Sequence, residues 1–304
     1  MVEIRTMKRS DWTEVGHLIH NATNTWYVNN GKAAVFGCTP EDVRFFCEVY
    51  ESMDPDCCLV AEVDGRIAAS CFYHPRPTHF SLGIMCVHPE FYGLGLAKKL
   101  LNKIIDLSSQ AGKPLNLISS AMNLDSFSLY NKAGFVPTAV YQDMILPVPD
   151  EGLSFDDSSL KAVRPARFAD IPQMVKLEKE IHGKDRGKDL QYIIANSPGI
   201  WNCHVYEEDG AISGFLCSVN HPSSKIIGPG VMNALGACLD LIKSHLNYYK
   251  GTTPLIIAPC SQNNLVQELL KMGAKNVEMH FSQTLGGISG QATNGIIIPT
   301  FMPE

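Results

Sequence analysis

Apolar and polar positions recur with two periods along the first 145 residues, and the periods divide the chain into elements. Residues 2–6, 58–63, 66–74, 79–87, 115–120 and 135–145 read as strands, and 11–21, 40–52, 94–111 and 125–133 as helices. The stretch 94–111 has the fullest stripe. Leu96, Leu100, Leu101, Ile104, Ile105 and Leu107 recur at helical spacing, with Lys98, Lys99 and Lys103 elsewhere on the helix. The mixture predicts an α/β protein whose central mixed sheet is flanked by helices.

The pattern then repeats. "IRTMKRSDWTEVGHL" from Ile4 parallels "VRPARFADIPQMVKL" from Val163, so that Arg5 matches Arg164, Asp11 matches Asp170 and Leu18 matches Leu177. Asp64-Gly65 and Asp209-Gly210 each read as a tight hairpin turn between alternating strands. "LYNKAGF" parallels "LLKMGA", pairing Gly134 with Gly273. The offset between copies falls from 159 to 145 to 139, so the second copy is shorter before its hairpin and again after it. Three matches in one order predict two tandem copies of one fold. The expected boundaries are 1–147 for the first domain, 148–159 for a linker and 160–304 for the second domain. The Pro-, Asp- and Ser-rich stretch "LPVPDEGLSFDDSS" marks the join.

Chemistry enters at "VHPEFYGLGLAKKLL", residues 87–101, where Gly93 and Gly95 stand between a strand and the striped helix. Glycine lets backbone approach an anion without a Cβ in the way, and the N–H groups that open a helix have no partners of their own. A phosphate is the expected guest. The loop is not a Walker loop, which needs Gly-Lys-Ser/Thr. A dinucleotide fingerprint would want a small third residue where Lys98 stands and an acid near position 113, which is Lys. An ordinary tight strand-to-helix turn remains the plain alternative.

Composition narrows the partners. The chain has 304 residues, a formal charge of -6 and no basic stripe, which argues against nucleic acid. Its ten cysteines show no CxxC pair, and they read as reduced thiols and not as a disulfide framework or zinc site; no metal is expected. No apolar run is long enough to span a bilayer, so no membrane partner is expected. "MVEIRTMKRSDW" lacks the apolar core of a signal peptide, and a cytoplasmic protein is the expectation.

With these residues in view, the sequence resembles the GNAT superfamily of acyl-CoA-dependent N-acyltransferases. That family's first signature, Gln/Arg-x-x-Gly-x-Gly/Ala after Val-x-Pro, is approximated by Val87, Pro89, Tyr92, Gly93, Gly95 and Ala97. Its second, an Asn followed by a helix ending Leu-Tyr-x-x-x-Gly-Phe, is matched by Asn123, Leu129, Tyr130, Gly134 and Phe135. The resemblance covers about residues 3–146. It departs at Tyr92, where the family has Gln or Arg, which puts one pyrophosphate contact in doubt and leaves the backbone cradle intact.

The resemblance implies that acetyl-CoA is the cosubstrate, bound by Cys86, Val87, Tyr92, Gly93, Leu94, Gly95, Leu96, Ala97, Lys98, Asn123 and Ser126. It implies that Cys86 and Val87 act through their backbone on a splayed strand, and that Tyr130 protonates the leaving thiolate. The acceptor would be an amine on a small molecule or peptide, and self-association into a homodimer is left open. The general base stays open among His79, His74 and Glu62, because Leu82 stands where some relatives carry a Glu. In the second copy, "IIGPGVMNALGACLDLI" offers Gly228-Pro229-Gly230 with no full signature, and Leu269 matches Tyr130, so that half reads as a degenerate GNAT-like domain. A non-catalytic acyl-CoA-binding or sensing protein is the rival reading.

Overall fold

The computed structural model of the chain describes residues 2–155, 160–287 and 294–300. The first repeat contributes β1 (Val2–Thr6), α1 (Trp12–Asn29), α2 (Pro40–Val43), α3 (Phe45–Met53), β2 (Cys58–Val63), β3 (Arg66–Pro75), β4 (Phe80–Val87), α4 (Leu96–Gln110), β5 (Leu115–Ser120), α5 (Leu124–Lys132) and β6 (Val136–Ile145). The second contributes β7 (Val163–Pro165), α6 (Ile171–His182), α7 (Gly187–Ala195), β8 (Trp201–Glu208), β9 (Ala211–His221), β10 (Ser224–Met232), α8 (Leu235–Leu246), β11 (Leu255–Pro259), α9 (Asn263–Lys271), β12 (Lys275–Leu285) and β13 (Ile296–Ile298). Every strand expected in the first repeat forms within two residues of its expected bounds. The first helix runs on to Asn29 instead of stopping at position 21. Its polar C-terminal half is held by tertiary bonds: the Asn24 amide donates to Phe36 O and accepts from Phe36 N–H, both at 2.9 Å.

Two compact units divide after Leu115. In the first, β1, β2, β3 and β4 form an antiparallel meander. Residues 67–72 of β3 are buried without alternation, so both faces of the strand are covered, and α1 and α4 both pack against it. Val15, Ile19, Tyr50, Phe72, Leu100, Leu101 and Ile104 fill this core.

In the second unit the strand order is β5-β12-β6-β11-β10-β9-β8-β7, with β13 paired to β10. The repeats exchange strands here. β12 of the second repeat lies between β5 and β6 of the first, and β6 pairs antiparallel with both β12 and β11. The apolar core of this unit accordingly mixes Met144, Leu146 and Val148 with Leu241, Ile256 and Leu269. Leu146 and Val148 stand where the sequence suggested linker. Their N–H groups donate to Pro254 O at 3.1 Å and Thr252 O at 2.9 Å, so the chain is pinned before it turns polar. Residues 156–159 of the expected linker lie outside the described residues. Among the described residues no helix is long and apolar enough to cross a membrane.

The repeats share their irregular details as well as their order. Arg5 pairs with Asp11 at 2.6 Å and with Glu62; Arg164 pairs with Asp170 at 2.7 Å and with Glu207. Lys8 N–H and Arg167 N–H each donate at 2.7 Å to the same aspartate of their repeat. Asp64-Gly65 and Asp209-Gly210 both take positive φ at both turn residues, the requirement of a two-residue hairpin whose twist matches its strands. β3 has an extra residue at Ala68 and β9 at Ser213, each a bulge against the preceding strand.

Candidate functional site

The first repeat's strand-to-helix junction begins with a second irregularity. Cys71 faces Met85 and Tyr73 faces Leu82, so β4 carries one residue more than β3 between these pairs, at Gly83 and Ile84. A bulge locally interrupts the ladder and bends the strand, and pairing with β3 resumes from Cys71–Met85 to Ala69–Val87. Gly83 is required there. A Cβ at that position would lie 2.9 Å from His74 Nε2 and 3.0 Å from the Phe72 Cβ.

Beyond the bulge, Cys86 and Val87 pair with Ser70 and Ala69. The Cys86 thiol is buried, 3.9 Å from the Thr23 hydroxyl, and burial pushes it up to about 11. Burial of that kind disfavours the thiolate, the nucleophilic form of cysteine. Tyr92 and Leu94 project into solvent, at 54% and 48% exposure. The partial burial of the Tyr92 ring raises its phenol above the ordinary value.

Gly93 and Gly95 have φ of 83° and 68°, in the left-handed region that side chains resist, and no atom lies within 4 Å of where their Cβ would be. Both glycines face open space, so packing is not what requires them there. Gly95 is the N-cap of α4 and has no side chain to cap it. Lys99 N–H closes back on Gly95 O at 3.1 Å, while the leading N–H groups, from Leu96 to Lys98, precede any intrahelical partner. Leu96 is buried and anchors the helix, Ala97 is half-buried, and Lys98 and Lys99 are exposed on the first turn. This arrangement of free donors, helix dipole and two lysine charges suits a phosphate.

The second motif lies in the second compact unit. Asn123 caps α5, its side-chain oxygen accepting the Ser126 N–H at 3.0 Å. Tyr130 is buried at 7% exposure, one turn from the helix end, with its ring edge-on to Phe135 at 5.8 Å. Gly134, at φ 94°, ends the helix and lets Phe135 N–H return to Tyr130 O at 3.0 Å. Gly273 and Ala274 repeat that termination behind Leu269.

The three base candidates have distinct surroundings. Glu62 is bound by Arg5 through Nε at 3.0 Å and Nη2 at 2.5 Å, a framework ion pair with a counterpart in the second repeat. His79 is buried with Nδ1 2.9 Å from the Thr78 hydroxyl. His74 is buried and its Nδ1 sits 2.7 Å from Asp54, whose carboxylate also accepts two bonds from Arg76 at 2.9 Å. Burial alone would raise the Asp54 carboxyl, but the bonds and charges of His74 and Arg76 hold it well below its usual range. Sequence reading missed Asp54 and Arg76, since nothing in local spacing links position 54 to positions 74 and 76.

The second repeat keeps the framework of this junction and lacks its loop. β10 bulges at Gly228 and Pro229, between the pairs Leu216–Gly230 and Ser218–Ile227. Gly228-Pro229-Gly230 is therefore strand, at the place of the β4 bulge, and not a degenerate phosphate loop as the sequence suggested. His88 N–H donates to Ala68 O at 2.8 Å and Asn233 N–H to Ser213 O at 2.9 Å, so the junctions still correspond there. Gly95 and Ala234 each precede a helix start, Leu96 and Leu235. The six residues 89–94 have no counterpart.

Residues 21–135 match the acetyltransferase (GNAT) family model. Among curated proteins none matches. Solved structures share the fold over nearly the whole chain. An acetyltransferase candidate from Pyrococcus horikoshii superposes with a TM-score of 0.78 at 17% identity, covering 100% of this chain and 96% of that one. A GCN5-related N-acetyltransferase from Sphaerobacter thermophilus gives 0.62 at 15% identity, over 93% and 95%. A tandem GNAT protein from the clavulanic acid biosynthesis pathway gives 0.62 at 13% identity, over 95% and 100%. The chain thus has the tandem GNAT fold, with a mixed α/β architecture.

Proposed function

From a GNAT domain at residues 21–135 and a tandem GNAT fold around it, we propose that the chain is an N-acyltransferase that moves an acyl group, acetyl by first expectation, from acyl-CoA to an amine. The observation that carries this reading is the junction from Val87 to Lys98: a bulged strand, an open glycine loop and a helix N-terminus with lysines on its first turn. In this reading the N–H groups of residues 93–98 hold the CoA pyrophosphate. The backbone at Cys86 and Val87 lies along the pantetheine, and Asn123 and Ser126 contact the same arm.

Three chemical needs define the residues' work. The acceptor amine must arrive neutral, so its proton passes to a base or water. The thioester oxygen gains negative charge as the C–N bond forms, and a backbone N–H at the β4 bulge donates to it. The C–S bond then breaks, and the Tyr130 phenol gives its proton to the sulfur. A phenol with a reference pKa of about 10 retains its proton at pH 7 and can pass it in concert.

The test is release of free CoA from acetyl-CoA in the presence of a panel of primary amines, with CoA binding measured in parallel. Amine-dependent CoA release supports the enzyme. Binding without release on any amine favours the acyl-CoA sensor, a reading supported by Leu82 at the usual base position and by the engagement of Glu62 with Arg5.

A further inference from the structure

We propose that Asp143, Glu278 and His280 form a binding site for a divalent first-row transition cation such as zinc. Asp143 stands on β6, and Glu278 and His280 on β12. One donor atom from each lies within 4.8 Å of the other two. His280 Nδ1 is 3.0 Å from Asp143 Oδ1, and its Nε2 is 3.9 Å from Glu278 Oε1. All three side chains are at least nine-tenths buried.

The register carries the argument. Asp143 lies directly opposite Glu278. Two carboxylates facing each other across strands repel, and burial strengthens the repulsion. The regular ladder would not produce this pair. Asn276 faces Met144, and the next position, Val277, is skipped as a bulge and turned outward at 44% exposure, which brings Glu278 opposite Asp143. Bulges re-aim side chains, and this one replaces a neutral neighbour of Asp143 with a second anion. A divalent cation between them would offset the repulsion of the two facing carboxylates.

The donor set selects the ion. An imidazole with two carboxylates suits zinc, manganese or ferrous iron better than magnesium or calcium, which favour oxygen alone. Donors bound tetrahedrally at zinc distances sit about 3.4 Å apart, so the cluster needs only side-chain closure. The Ser120 hydroxyl on β5 donates to the Glu278 carboxylate and orients it, as outer partners of metal ligands do. The ion would join strands of the two repeats at the exchange.

The test uses the full chain stripped with chelator and titrated with zinc and with cobalt(II), followed by anomalous scattering from a zinc-soaked crystal. The proposal expects one ion per chain, tetrahedral cobalt d–d absorption without a thiolate charge-transfer band, and an anomalous peak among the three side chains. It also expects Asp143→Asn and Glu278→Gln each to lower affinity about tenfold or more. A thiolate band would overturn it by moving the ion to cysteines such as Cys203 and Cys217, whose sulfurs are 3.4 Å apart. No saturable binding, or a peak elsewhere, would overturn it as well. The cobalt spectrum and the anomalous map need no variant, so a misfolded substitution leaves the decision intact.

Discussion

The two strand-to-helix junctions, Val87 to Leu96 and Met232 to Leu235, are built on one plan up to the point where chemistry would begin. Both strands bulge one residue at matching places, and each pairs with a strand, β3 or β9, that is entered from an Asp-Gly hairpin. Both repeats also bind their first strand through an arginine held by an aspartate and a glutamate. Residues 89–94 then add a loop carrying the left-handed Gly93, next to the left-handed Gly95 at the helix N-cap, to one junction, where the other crosses directly to its helix. The framework is thus what the fold needs, since both halves keep it. The loop is not what the fold needs, since the second half forms without it, and it is where the proposed CoA would bind.

The largest effect that sharpens this contrast is on turnover. Tyr130→Phe keeps the ring against Phe135 and removes the proton, and the matching residue in the other half, Leu269, has none to lose. The rate of CoA release is expected to fall by about 100- to 10,000-fold, the range of general acid catalysis, with CoA affinity nearly unchanged. A rate within a few-fold of the parent would remove the phenol from the mechanism.

Next in size is Gly95→Val. Left-handed backbone costs a side chain about 1–2 kcal/mol, and the Cβ would stand in the open space where phosphate is expected. CoA affinity should fall roughly tenfold or more by calorimetry. The same change at Gly210, also at positive φ but in a hairpin, should cost similar stability and leave CoA affinity alone.

The two arginine clusters should respond alike. Asp11→Asn and Asp170→Asn each weaken charge-assisted bonds worth about 1–3 kcal/mol, toward the lower end because the arginines are partly exposed. Urea midpoints should shift down by similar amounts in both variants. A loss confined to one would mean that the clusters do different work.

The smallest expected effect separates the halves by pH. Burial lowers His204, and it lowers His245 further, helped by the neighbouring His204; the two rings share a 3.2 Å contact that the first repeat lacks. The fold holds them neutral, while the unfolded chain takes up protons near the ordinary value of 6.5. Below that pH the unfolded state binds more protons, so stability falls as pH drops through 6.5 toward the folded values. Melting temperature should decline from pH 7 to 5, and His245→Gln should flatten the decline.

Much of this contrast was legible in the sequence, for identifiable reasons. Arg5 and Arg164, the Asp-Gly turns, and Gly134 with Gly273 are residues whose backbone or charge role admits few substitutes, so they mark the repeat even where side chains differ. The drop of the offset from 145 to 139 located a loss of six residues without saying that it was the loop itself. Gly228-Pro229-Gly230 misled because glycine and proline also mark a bulge within a strand. The strand exchange left no local trace. A partner some 140 residues away is chosen by packing that the local pattern of β6 or β12 does not encode. Asp54 with His74, and Asp143 with Glu278 and His280, were hidden for the same reason.

Whether residues 89–94 make one junction a CoA site, and whether their absence leaves the other empty, is decided by calorimetric titration of CoA into two proteins. One is the parent chain, and the other lacks 89–94, so that its first junction matches its second. The expected result is one CoA per parent chain, and no binding to the shortened chain while its circular dichroism stays that of the folded parent. Two CoA per parent chain, or undiminished binding after the excision, would contradict it.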